Sequence, residues 1–294
     1  MKDLKYLKVI ILMISFFFFL PNVKTPCSTA NLDFKIAVDK ETYSLREPIW
    51  VDLYLTNNCK EAIRIKPLDL PWLVLQVFLV NSEGDTLKYS GMHFEHGSLP
   101  EGDLVKPSER YYHCINLLNS FGETTYSLEK ALGRFFLRED TYTLQMNYMG
   151  VFSNKIGFKV EKPKSQEKVA HDLLKEAYYY DIKLDNQKMI DILQRLIDKY
   201  PKRLYTDLAY YELCGHYGLV GEPEKTKECL RKLVLNYPNS HFVLKAFPGL
   251  LQQMTKGEKI KFLKEVIKKQ PKTRASDWAQ KSLEDLEEKE EPKK

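Results

Sequence analysis

The chain is expected to fold as two domains, all-β and then all-α: a β-sandwich over residues 31–162, a linker at 163–166, a short stacked-helix α-solenoid over 167–288 and a charged tail at 289–294. Three observations predict this. Between Leu32 and Val160 apolar residues recur at every second position, as in Phe34, Ile36, Val38 and in Ile49, Val51, Leu53, Leu55, the period of a half-buried strand. After Glu167 the period becomes helical, and three stretches align on a proline: Leu193, Leu196, Ile197 before Pro201; Leu230, Leu233, Val234 before Pro238; Leu263, Val266, Ile267 before Pro271. Eight residues past each proline stands an alanine (Ala209, Ala246, Ala279), and twelve past it a leucine (Leu213, Leu250, Leu283). These offsets mark one face of a helix that stops near the proline and one face of the helix that follows. Between the two regimes lies Glu161-Lys162-Pro163-Lys164-Ser165, polar and proline-bearing, where a domain boundary belongs.

Residues 1–30 have the grammar of a signal peptide: Lys2, Lys5 and Lys8, the run Val9–Leu20, then Pro21 and a polar stretch ending Ser28-Thr29-Ala30. The run is shorter than the ~20 residues that span a bilayer. Small residues at Ser28 and Ala30 suit cleavage before Asn31. The alternatives are an uncleaved anchor lengthened by a snorkelling Lys8, the one case in which membrane contact is expected, and lipidation at Cys27, for which Thr25-Pro26 is a poor lead. The chain is therefore expected to be exported, to the periplasm or the cell envelope. Loss of residues 1–30 takes away four lysines and Asp3, so the formal charge falls from +5 to +2. So balanced a chain, without an aromatic-basic motif, carries no footprint for nucleic acid, which is not expected as a partner.

In chain order, strands are expected at Phe34–Val38, Ile49–Leu55, Ile63–Ile65, Leu73–Leu79, Thr86–Tyr89, Tyr111–Leu117, Thr141–Tyr148 and Ile156–Val160, separated by turn residues such as Asn57-Asn58 and Asn81–Asp85. Strands so short and so many close as a Greek-key sandwich. The phrases Tyr43, Glu47-Pro48, Leu55-Thr56-Asn57 and the late Asp140-Thr141-Tyr142-Thr143-Leu144 resemble the immunoglobulin-like domains of exported bacterial proteins. Asp140 stands where that family often has glycine, and no cysteine pair around a tryptophan is recognisable. The resemblance implies an immunoglobulin-like β-sandwich and no activity.

In the helical half, Ala209, Leu213, Tyr217, Gly221 and Glu222 lead into Leu230, Leu233 and Tyr237-Pro238-Asn239-Ser240. The proline spacings are 37 and 33 residues. This resembles the tetratricopeptide (TPR)-like repeats, about 34 residues long, of exported envelope proteins of the Tol-Pal accessory and outer-membrane assembly type. The resemblance implies a groove lined by the first helix of each hairpin, holding a protein or peptide partner in the envelope, and places Leu208, Tyr211, Lys245 and Gln252 on that groove. Cys214 and Thr226 stand where the family has glycine and alanine, and Pro248 falls inside a groove helix, which should kink or start late. The array should hold two full hairpins and a cap, with the sandwich covering one end.

Chemistry is sparse. A Gly-rich phosphate loop, a Gly-x-Ser-x-Gly elbow and a His-Glu-x-x-His helix are all missing from the sequence; no catalytic residue and no cofactor is expected. The alternative to a non-enzymatic scaffold is a metal site on the sandwich, built from His93, His96 and His113 with Glu95 and Cys114 nearby. Cleavage would leave Cys59, Cys114, Cys214 and Cys229, which allow three pairings. Cys214 and Cys229 occupy small buried positions of the repeat and should be free thiols; the pairing of Cys59 with Cys114 is open.

Overall fold

The computed structural model describes residues 31–66, 68, 74–87, 102–117 and 137–288. Its N-terminal part is built of short strands: β1 Leu32–Val38, β2 Thr42–Ser44, β3 Trp50–Asn57, β4 Ile63–Ile65, β5 Leu75–Val80, β6 Thr86–Leu87, β7 Asp103–Val105, β8 Arg110–Asn116, β9 Asp140–Tyr148, β10 Val151–Phe152 and β11 Ile156–Glu161. One sheet runs β1-β3-β8 and a second runs β2-β11-β9-β5-β6, with β10 added to β9, while β4 and β7 form a separate ribbon. Phe34, Leu53 and Leu55 of the first sheet and Leu79, Leu144, Met146 and Phe158 of the second bury themselves in one shared core. The two sheets are therefore layers over a common apolar interior.

A strand stands at each of the eight places expected from alternation, with Leu73, Lys88 and Tyr89 of those expectations lying outside the described residues. Three further strands, β2, β7 and β10, two or three residues long, were not expected from the sequence. β10 folds back on β9 through Met149 and Gly150 at φ 50° and 95°. Positive φ at both loop residues is the hairpin geometry that follows the strand twist. β2 runs parallel to β11, and the Tyr142 hydroxyl donates to the carbonyl of Arg138 at 3.0 Å.

The C-terminal part comprises, among the described residues, α1 Ser165–Ile182, α2 Asn186–Lys199, α3 Thr206–Leu219, α4 Pro223–Asn236, α5 Phe242–Gln252, α6 Lys256–Lys269 and α7 Arg274–Glu288. Residues 162–164 join β11 to α1, close to the expected linker. The residues before the three aligned prolines, Tyr200, Tyr237 and Gln270, share one backbone conformation (φ −132°, −130°, −134°; ψ 52°, 56°, 50°). Proline disfavours the helical region for its predecessor, and each copy stops at the same place. Starts are equally local: Asp185 accepts from the Lys188 amide, Pro223 opens α4, and Thr255 with Glu258 makes a capping box.

The repeat seam is fully enclosed. Ala209, Ala246 and Ala279 are buried, as are Leu213, Leu250 and Leu283. Pro248 lies inside α5, which spans 11 residues where α3 spans 14. Two expectations about the array need correction. Among the described residues there are three helix pairs before the last helix, not two; the extra pair is α1 with α2, and α1 carries its own buried Ala170 and Leu174, four apart like Ala209 and Leu213. The strand layers also do not cover one end. They lie along the corners where α3, α5 and α7 begin: the Tyr205 hydroxyl donates to the Leu45 carbonyl at 2.9 Å, Trp50 packs on His241 and Phe242, and Arg274 donates to the Tyr112 hydroxyl at 3.2 Å. These helical residues stand three or four positions after Pro201, Pro238 and Pro271. Equivalent corners of successive copies thus make one continuous docking edge.

Cys59 is disulfide-bonded, whereas Cys114, Cys214 and Cys229 are free. Cys59 and Cys114 are therefore not partners. No helix among the described residues is long and apolar enough to cross a membrane.

Candidate functional site

Where the strand layers meet the helices, two cavities flank the indole of Trp50, which starts β3 yet packs into the helical core. The larger, about 980 Å³, has walls from both parts: Trp50, Tyr112 and Cys114 on one side, His241, Lys245 and Trp278 on the other. The smaller, about 620 Å³, continues past Asp207 and Glu47.

The chemistry beside the larger cavity is set by strand register. Asp52 of β3 lies directly opposite Cys114 of β8, and Leu53 opposite His113. Leu53 is wholly buried in the inter-sheet core, so alternation turns Asp52 and Cys114 outward to the helices. His241, immediately before α5, completes a cluster in which one ligand-type atom each from Asp52, Cys114 and His241 lies within 4.8 Å of the others. His241 Nε2 is 3.9 Å from Asp52 Oδ1. The Tyr112 hydroxyl donates to the same Oδ1 at 2.7 Å. His241 is held in place by stacking on Trp50, and the Lys245 ammonium lies 5.5 Å from the centre of that indole.

The charges in the cluster follow from this packing. Burial opposes ionisation of Asp52, but the surrounding His241, Tyr112 and Cys114 groups outweigh it and hold the carboxyl below its usual range. Burial, then the adjacent Asp52 carboxylate, pushes the Cys114 thiol up to about 12. At neutral pH Cys114 is a thiol and a weak nucleophile.

The residues expected to form a groove are dispersed. Leu208 is 1% exposed in the helical core and has no surface to present. Tyr211 is half-buried, its ring stacked on Phe242 at 4.8 Å. Gln252 is exposed at the far end of α5. Lys245 is the one of the four that reaches the cavity. For the alternative metal site, His113 holds the alternate position to Cys114 on β8 and also borders the larger cavity, but it is not part of the Asp52, Cys114, His241 cluster, and His93 and His96 lie outside the described residues. Sequence reasoning missed Trp50, Asp52 and His241. Asp52 stands out only as an acid at a solvent-parity position, which is ordinary, and His241 gives no signal, because its neighbours are decided by docking.

Residues 173–203 and 208–240 match the tetratricopeptide repeat family. They cover the second half of α1 with α2, and α3 with α4. The helical part is thus a tetratricopeptide-like repeat array. A search of curated protein sequences finds no match. Among solved structures, the chain is similar to the alkylpurine DNA glycosylase AlkC of Pseudomonas fluorescens, bound to DNA containing an abasic site analog, with a TM-score of 0.27, 11% identity, 45% of this chain and 31% of that chain covered. It is also similar to the sporulation control protein Spo0M of Bacillus subtilis, with a TM-score of 0.24, 12% identity, 51% of this chain and 55% of that chain covered. The chain spans about a third and about half of the lengths of these two proteins.

Proposed function

We propose that this chain is an exported, non-catalytic scaffold that holds a segment of a partner protein in the cell envelope, in the cleft between the strand layers and the repeats. The observation that carries the reading is the tetratricopeptide repeat itself, a class of array whose stacked helices expose an extended surface for other polypeptides. The cleft supplies what such contacts use: the aromatic surface of Trp50 and Trp278, apolar Leu244, and the cations Lys245 and Lys281 at its rim.

The strand layers are read as an immunoglobulin-like domain. The parallel pairing of β2 with β11 and the Tyr142 hydroxyl bond to Arg138, a corner of the kind found in such domains, support this. Export is supported by the signal-like grammar of residues 1–30.

The test is site-specific photo-crosslinking in cells, with the crosslinker at position 281 in the cleft and, as control, at exposed position 232 on α4. A discrete protein adduct from position 281, missing from position 232 and lost with Lys245→Glu, is the expected result. Adducts of equal yield from both positions, or none from the cleft, would overturn the reading. Fractionation and the N-terminal mass of the mature chain test export separately.

A further inference from the structure

We propose that Asp52, Cys114 and His241 form a binding site for a transition-metal ion of the zinc class, which clamps the strand layers to the helical array. An imidazole nitrogen, a carboxylate oxygen and a cysteine sulfur are a donor set that suits zinc or cobalt, whereas magnesium and calcium take oxygen alone. The three atoms lie within 4.8 Å of one another, and the nitrogen and oxygen are 3.9 Å apart. Tetrahedral zinc places its ligands roughly 3.3–3.8 Å from each other. The arrangement needs only a small contraction.

A second observation points to the same place. His241 Nε2 is buried without a hydrogen-bond partner, on a side chain only 9% exposed and turned towards the Asp52 carboxylate. A polar nitrogen seldom stays orphaned in an interior, and a metal ion would satisfy it. The framework is also rigid. Two ligands are register partners on neighbouring strands, and the third is fixed by the stack on Trp50. Tyr112 orients the carboxylate from outside, and Arg274 in turn holds the Tyr112 hydroxyl.

On binding, a metal–sulfur bond replaces the Cys114 S–H bond and the proton passes to solvent. Thiolate and carboxylate together then balance a dication, with His241 neutral. Lys245 and Arg274 face the same space; their charge favours the thiolate and opposes the cation. Cys114 and His241 both line the larger cavity, so the fourth position is left to water or to a partner's side chain. The proposal does not rest on the scaffold reading, and its test involves no partner protein.

The experiment is titration of the metal-stripped full chain with cobalt(II), followed by absorption. One equivalent should bind, with a thiolate-to-cobalt charge-transfer band in the near ultraviolet and the strong visible bands of tetrahedral cobalt; zinc should erase both. The Cys114→Ser variant should lose the charge-transfer band, and Cys214→Ser should keep it. Asp52→Asn should weaken binding without changing the fold, read by circular dichroism, and Tyr112→Phe should weaken it about 10-fold. His241→Gln also removes the Trp50 stack, so Asp52→Asn is the deciding variant if that protein is unstable. No cobalt spectrum, or a charge-transfer band that survives Cys114→Ser, would overturn the proposal.

Discussion

The imidazole of His241 lies flat on the indole of Trp50, with ring centroids 4.9 Å apart and planes 10° from parallel. One ring belongs to the first position of β3 and the other to the residue before α5. Phe242 meets the same indole edge-on at 5.1 Å. Trp50 is therefore a strand residue whose apolar surface is buried by helices.

Truncation of this side chain should be felt at the docking edge. Trp50→Ala is expected to destabilise the chain by about 3–5 kcal/mol and to split one cooperative unfolding transition into two, as the strand layers and the repeats lose their common anchor. Urea unfolding followed by circular dichroism in the helical and the strand regions checks this. Coincident transitions with a change below about 1 kcal/mol would show that Trp50 does not hold the two parts together.

Leu208 and Gln252 offer a contrast on neighbouring repeats. Leu208→Ala should cost about 2–5 kcal/mol, because it opens a cavity in a closed core. Gln252→Ala, at an exposed position, should stay within about 0.5 kcal/mol of the parent. Chemical denaturation of the two variants separates core from surface.

Two glycines should respond in opposite directions to alanine. A Cβ on Gly102 would sit 1.7 Å from the Ile65 carbonyl oxygen, so Gly102→Ala must push β7 away from β4 and should destabilise by at least about 2 kcal/mol. Gly215 lies inside α3, where an added methyl group would meet nothing within 4 Å, and Gly215→Ala should stabilise by about 0.5–1 kcal/mol through helix propensity. Melting temperatures of the pair read both signs.

His171 of α1 links stability to pH. Burial, with the Arg46 charge adding to it, lowers its imidazole below the ordinary value of 6.5 against the opposing pull of Asp172. The unfolded chain then takes up a proton near 6.5 while the folded chain refuses it. Stability from this group is complete above that value and declines as pH falls towards the depressed folded value. Unfolding midpoints should drop from about pH 7.5 to about pH 5.5 more steeply in the parent than in His171→Gln. Parallel slopes in the two proteins would contradict this assignment.

The repeat was legible because its signals are local. Leu193, Leu196 and Ile197 before Pro201 need only helical periodicity and the steric bias of a proline against a helical predecessor, and both are local. The longer strands were legible for a similar reason, since alternation in Ile49 to Leu55 records which face is buried. β2, β7 and β10 were missed because they are held by pairing with distant strands or a neighbouring hairpin arm rather than marked by their own residues, and α1 with α2 was missed as a pair because Ala170 and Leu174 fall outside the proline frame.

The site follows a different logic. Cys114 and His113 are neighbours in sequence, and the pleat sends them to opposite faces; Asp52 and Cys114 are distant in sequence, and strand register puts them side by side. Tyr211 and Leu208 have the spacing of a groove face but are taken up by Phe242 and the helical core. By itself, then, the sequence determined two regimes of secondary structure, their boundary and the repeat, all of which depend on contacts between near neighbours. Tertiary structure decided which corners of the repeat meet the strand layers, and so placed Trp50, Cys114 and His241 around one cavity, with Asp52 beside the latter two. Side chains so far apart along the chain share an environment only after register and docking have chosen it.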